Sequence, residues 1–300
     1  MSALVGDLRY AVRMLLKSPG TTIVAVLALA LGIGANTAIF SVVDGVLLQP
    51  LPLPDSRALF AIHTGSTKLG RFGGPFSYPE YEDLLAQQHT LESIGGWIDG
   101  DINLSGADAP TRVLMRVALP SLLPTLRVEP VLGRNFLPEE AVKGREHVAI
   151  IDYGLWQRQF AGSKDALGKS LKLDGVPYQV IGVLPRGFYF DQPADVWVPL
   201  ATGDEGLKVR NSHFLRVIAR QRPGATLATI NADLDAIARR QSETYPEFFP
   251  PSFGFGIRAM PYLDEVVGDV RLPLLILIGA VGCVLLIACA NVANLLLARS

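Results

Sequence analysis

Apolar residues concentrate at the two ends of this 300-residue chain. Ser18 to Val43 and Leu272 to Ala298 are runs without a charged residue, and residues 44 to 271 alternate polar and apolar positions as a globular domain does. A hydrocarbon core of about 30 Å is crossed by about 20 helical residues rising about 1.5 Å each, so both runs predict transmembrane helices, over 21–43 and 272–298.

Before the first run, Leu4, Leu8, Val12 and Leu15 share one helical face while Arg9, Arg13 and Lys17 recur every four residues on the other. Ser18-Pro19-Gly20 then interrupts the pattern. Residues 1–20 read either as a positive-inside flank or as an amphipathic elbow helix on the cytoplasmic membrane face, with Arg9, Arg13 and Lys17 as the membrane-face contacts. Ala28-Leu29-Ala30 resembles a signal-peptide cleavage site, but apolar sequence continues to Val43, which favours a retained anchor. Basic residues flank the outer ends of both runs, whereas Asp44, Asp264, Glu265 and Asp269 flank the inner ends. The positive-inside bias therefore puts both termini in the cytoplasm and residues 44–271 outside it.

Within the runs, Gly32 and Gly34 form small faces, and Asn36, Asn291 and Asn294 are isolated amides, all five read as helix-packing residues. Gly32 to Thr37 superficially matches a dinucleotide-binding turn, but no strand precedes it.

The middle segment opens with a Pro-rich stretch, Gln49 to Pro54, followed by a predicted strand at Leu59–His63. Ser77 with Glu80 is a capping-box pattern ahead of a helix carrying Tyr81, Leu84 and Leu85. Val113–Val117 reads as the strand that follows it. A second strand–helix–strand unit comprises His213–Ala219, a stripe of Leu227, Ile230, Leu234 and Ile237, and the alternating Phe253–Met260. These two units predict one α/β lobe, over about 50–119 and 206–271, with residues 120–205 inserted as a β-rich second lobe. That insertion carries a strand at Val148–Asp152, a short helix around Trp156, and a hairpin about Asp174-Gly175. The expected fold class is thus an α+β membrane protein in which two transmembrane helices bracket a two-lobed extracytoplasmic domain.

Composition narrows the chemistry. A formal net charge of −1 with interspersed signs gives no footprint for nucleic acid, and Cys283 and Cys289 both fall in the second run, so no disulfide framework is expected outside. His63, His89, His147 and His213 lack metal-ligand spacing. Ser163 to Ser170 ends like a phosphate loop but has Ser163 where the motif requires Gly. Asp233 and Asp235 point apart on their helix, Asp235 being placed to pair with Arg239. No Gly-x-Ser-x-Gly elbow is present. No catalytic, cofactor-binding or metal residues are predicted. An anchored hydrolase assembled from scattered side chains has no local signature.

Taken together, several stretches resemble the MacB-like and FtsX-like permease family of ABC transporters, particularly its duplicated orphan type. They include Asp7-Leu8-Arg9-Tyr10-Ala11, Gly32 to Val43, Leu132-Gly133-Arg134-Asn135-Phe136, Val180 to Pro185, Trp197-Val198-Pro199-Leu200 and Ala290 to Arg299. The resemblance implies a periplasmic core of a porter-type lobe with an insertion, in a multi-pass protein of the bacterial inner membrane. It also implies a permease subunit without catalysis of its own, driven by a separate cytoplasmic ABC ATPase and paired with a second permease subunit or repeat. Such a subunit transmits ATP-driven motion to a periplasmic partner or substrate. Family members carry further spans, so the chain is expected to be the N-terminal part of a longer permease. The alternative class is a membrane-anchored binding or sensory module without transport.

Overall fold

The computed structural model describes residues 19–43, 53–105 and 110–297. Arg9, Arg13 and Lys17 lie outside them. The chain divides into a terminal unit, residues 1–49 with 267–300, and a central unit, residues 50–266.

The terminal unit contains α1 (Pro19–Val43) and most of the final helix, α6 (Tyr262–Leu297). Leu31, Leu272 and Leu286 stand 73%, 67% and 70% exposed, the reverse of a water-soluble helix pair. Among the described residues, Val270–Asn294 of α6 is long and apolar enough to cross a bilayer. The corresponding apolar stretch in α1 is the shorter Ala30–Val43, so bracketing by two spans rests on α1. Asn36 Nδ2 donates to the Gly32 carbonyl at 2.9 Å and to the Val281 carbonyl of α6 at 3.2 Å. A Cβ on Gly32 would approach Leu285 Cδ1 at 3.1 Å, whereas one on Gly34 would meet nothing within 4 Å. Asn291 and Asn294 are exposed. Of the five predicted packing residues, the chain thus brings Gly32 and Asn36 against a neighbouring helix.

The central unit is built on one mixed sheet. Its strands are β1 (Leu59–Ser66), β2 (Arg71–Gly74), β3 (Leu91–Ser105), β4 (Thr111–Ala118), β5 (Leu132–Gly133), β6 (Val148–Ile151), β7 (Ser170–Leu173), β8 (Val176–Val183), β9 (Val196–Pro199), β10 (Arg216–Gln221) and β11 (Phe255–Pro261). The order is β11-β1-β10-β3-β4-β9-β6-β8-β5, with β2 paired to β1 and β7 paired to both β3 and β8. β4–β9 and β6–β8 are parallel, and the other pairings are antiparallel.

Local sequence accounts for much of this. Ser77 caps α2 (Tyr78–Gln87): its Oγ accepts the Glu80 amide at 3.4 Å, and Glu80 Oε2 accepts the Ser77 amide at 2.6 Å. Asp174 and Gly175 both have positive φ, the type I′ geometry whose twist suits the β7–β8 hairpin. The Asp152 carboxylate accepts the Gly154 and Leu155 amides and so caps α4 (Tyr153–Phe160), the helix around Trp156, and the stripe on α5 (Leu227–Thr244) buries Ile230, Leu234 and Ile237 against the sheet.

One strand departs from the sequence reading. β3, not Val113–Val117, lies beside β10, and β4 takes the next position out. Gly95, Gly96, Gly100, Asp99 and Asp101 obscure the apolar alternation of β3. Gly95 is needed for close approach, since a Cβ there would lie 2.7 Å from Leu122 Cα in α3 (Leu122–Leu126). The two expected lobes share the sheet. One apolar cluster belongs mainly to the outer segments, one centres on the inserted segment, and a third, including Leu59, Trp97, Ile150 and Trp197, draws on both.

Candidate functional site

The least expected chemistry lies where β3, β4, β10, the 188–195 loop and the first turn of α6 converge. Asp99 and Arg116 are direct partners in the β3–β4 register, and Trp97 and Arg216 are direct partners in the β3–β10 register. The Arg116 side chain is completely buried. Its Nε donates to Asp99 Oδ1 at 2.6 Å, Nη1 to the Phe190 carbonyl at 2.7 Å and Nη2 to the Gln192 carbonyl at 3.2 Å. Its guanidinium lies 4.8 Å from the Trp197 ring centroid and 5.1 Å from that of Phe190. Arg216 pairs with Asp191 and lies 5.2 Å from the Trp97 ring. A guanidinium in such surroundings is tolerated because every face is met by a carboxylate, a carbonyl or a ring.

Tyr262 closes this cluster. Its ring lies 5.5 Å from Phe190, and its buried hydroxyl, though close to the Asp191 backbone, makes no well-formed hydrogen bond with another described residue. Burial, followed by the Asp191 charge, raises its pKa. Burial also raises that of Asp191, against the opposing pull of Arg216 and Arg116. Asp191 has φ +58°, a left-handed conformation that turns the loop back onto the cluster. One turn further along α6, Glu265 Oε2 lies 3.0 Å from His63 Nε2 on β1. His63, Trp97, Arg216, Tyr262 and Glu265 line a common cavity of about 310 Å3.

This arrangement fixes the start of α6 in the central unit. Among the described residues, no group of three His, Cys, Asp or Glu side chains is placed to hold a metal. Asp235 pairs with Arg258 of β11 at 3.0 Å rather than with Arg239, because α5 packs its face against that strand. Asp233 Oδ2 accepts the His89 and Thr90 amides. Ser163 caps a short 3-10 turn at Lys164–Ala166. None of the buried cluster was marked by a sequence motif, since its charged members come from four separate segments. Trp97 and Asp99, two residues apart on one face of β3, were its one local trace.

A second fixed point is Arg220 of β10, 1% exposed. Its Nε donates to the Thr125 carbonyl at 2.9 Å, and its two terminal nitrogens donate to the Asp55 and Pro54 carbonyls, each at 3.0 Å. Burial lowers its pKa.

Residues 22–237 match the family described as MacB-like periplasmic core domain. The macrolide export ATP-binding/permease protein MacB of Chlorobium phaeobacteroides is 26% identical over 211 residues, which cover 66% of this chain and 31% of that protein. The chain therefore spans about a third of that relative's length. A candidate permease domain from Porphyromonas gingivalis superposes with a TM-score of 0.53 at 17% identity, covering 70% of this chain and 92% of that one. The periplasmic region of MacB from Actinobacillus actinomycetemcomitans gives 0.52 at 13% identity, covering 72% and 95%. The extracellular domain of the ABC-type transporter YknZ from Gram-positive bacteria gives 0.50 at 15%, covering 67% and 99%. At these identities the likeness establishes the fold.

Proposed function

The chain belongs to the MacB-like periplasmic core domain family, and on that premise we propose that it is a permease subunit of an ABC-type transporter. The observation that carries this reading is the match over residues 22–237, followed in the chain by the bilayer-length run Val270–Asn294. In this reading α1 and α6 both cross a bacterial inner membrane, both termini are cytoplasmic, and the central unit is periplasmic. A separate cytoplasmic ATPase hydrolyses ATP, and the chain carries no catalysis of its own. A second permease subunit or repeat completes the assembly.

The role of the central unit is to receive motion and pass it to a periplasmic substrate or partner. The Arg116–Asp99–Asp191–Arg216 cluster suits that role: close-packed interiors pass a displacement on instead of absorbing it, and buried ion pairs resist separation. A shift of Tyr262 or Glu265 would reach β1, β3, β4 and β10 together.

Expressed from its native gene, the protein is expected to co-purify with an ABC ATPase and to raise its ATP turnover in nanodiscs. Failure of both would remove the proposal. Reporter fusions at Ser2, Gly106 and Ser300 are expected to place the first and last in the cytoplasm and Gly106 outside, and an external Ser2 would overturn the topology.

A further inference from the structure

A cleft of about 650 Å3 opens at the end of the central sheet where β1 and β2 meet and β11 begins. It is walled by Phe72, Phe248, Phe249, Phe253 and Phe255. Phe249 and Phe255 stack at 4.1 Å between ring centroids, and Phe249 is buried. Phe248 and Phe253 remain 42% and 43% exposed.

The backbone that carries these exposed rings is nevertheless held. The Phe248 and Phe249 amides both donate to the Tyr245 carbonyl, and Ser66 Oγ donates to the Phe253 carbonyl at 2.5 Å. The Thr67 amide and hydroxyl both donate to the Gly254 carbonyl. Hydrogen bonds from the β1–β2 hairpin to its carbonyls thus fix the aromatic loop, while two of its rings contribute little to the core. Opposite them, Gly65, Gly73 and Gly74 leave the wall without side chains. A preformed concave site on a fixed backbone binds apolar ligands at a reduced ordering cost, and this volume lies within the range of small-molecule sites.

The charge of the lining sets the ligand's polarity. His213 and Arg71 are its two basic members. His213 lies 3.1 Å from Glu80 Oε2, so any positive charge it carries is already matched. Arg71 is exposed and forms no ion pair with another described residue. We infer that this cleft binds a small molecule with an apolar, ring-containing body and a single anionic group, the rings lying among Phe72, Phe248 and Phe253 and the anion meeting Arg71. The inference is independent of the transport reading, because it concerns binding to this chain without an ATPase.

The test uses the full chain in nanodiscs, with saturation-transfer NMR titrations of naphthalene-2-sulfonate and of the uncharged 2-naphthalenemethanol, and empty nanodiscs as the blank. Saturable binding is expected for both, tighter for the sulfonate. Phe248→Ala with Phe253→Ala should weaken both about tenfold or more, as loss of two aromatic contacts implies. Arg71→Gln should reduce the sulfonate to the affinity of the alcohol and leave the alcohol unchanged. The control Leu114→Ala, at an exposed position on β4, should change neither. Binding no greater than to empty nanodiscs, equal affinity for the two probes, or indifference to the phenylalanine substitutions would overturn the inference. Self-association of the chain that those substitutions abolish would assign the cleft to a second copy, and would overturn it equally.

Discussion

Asp99 and Arg116 face each other across the β3–β4 ladder, with Arg116 Nε donating to Asp99 Oδ1 at 2.6 Å and the arginine side chain wholly excluded from solvent. The ladder register alone puts them in contact. Removal of Arg116 is costly, because it takes a cation from the part-buried Asp99 and Asp191 carboxylates and the donors from the Phe190 and Gln192 carbonyls. Arg116→Ala is expected to destabilise the central unit by about 3–5 kcal/mol. The exposed pair Arg112–Asp101 on the same two strands provides the contrast, with Arg112→Ala expected within about 0.5 kcal/mol of the parent. Denaturation followed by tryptophan fluorescence measures both, and a mild Arg116→Ala would refute the account of the cluster.

The pairing of His213 with the buried Glu80 makes stability depend on pH. The hydrogen bond to Glu80 raises the His213 pKa above its ordinary 6.5, with burial opposing it. The folded state therefore holds this proton more tightly than the unfolded chain. The contribution is fully present below about pH 6.5 and is lost as pH rises through the raised folded value. After solvent screening it amounts to no more than about 1 kcal/mol. Melting temperatures between pH 5.5 and 8.5 should fall toward the alkaline end, and His213→Gln should flatten that part of the profile. An unchanged slope in the variant would exclude the pair as its source.

Two glycines on β3 should respond differently to one methyl group. At Gly95 it would meet the Leu122 backbone, so Gly95→Ala is expected to cost about 1–3 kcal/mol through overpacking. At Gly100 nothing lies within 4 Å, and Gly100→Ala is expected to be neutral or slightly stabilising. Equilibrium unfolding of the two variants compares them directly, and equal costs would contradict the close approach of α3.

Arg220→Met keeps the apolar stem and removes the donors to Pro54, Asp55 and Thr125. Hydrogen bonds to charged groups contribute about 1.5–3 kcal/mol each, so the variant should be strongly weakened locally. Hydrogen exchange is expected to accelerate at residues 53–58 while the β3–β4 ladder stays protected. Uniform acceleration throughout the unit would show that Arg220 supports the whole fold rather than that segment.

What the sequence disclosed was mostly local. The Ser77–Glu80 cap, the Asp174-Gly175 turn and the Ile230–Leu234–Ile237 stripe each carry their geometry within a few residues. β3 was hidden because Gly95 and Gly96 serve packing and Asp99 and Asp101 serve ion pairing, which together erase the period of two. The buried cluster and the aromatic cleft were hidden for another reason. Asp191 meets Arg216 and Phe72 shares a wall with Phe248 only once distant strands are registered, and no spacing along the chain encodes those meetings.

The three carbonyl bonds of Arg220 also have a mechanical meaning. Tension applied to the chain at residue 53 meets little slack, because Pro54 and Asp55 are fastened to a side chain of β10. β10 lies between β1 and β3, so the load enters the interior of the sheet and is shared between two ladders. A pull at this point would therefore strain many backbone hydrogen bonds in parallel before any one of them gave way.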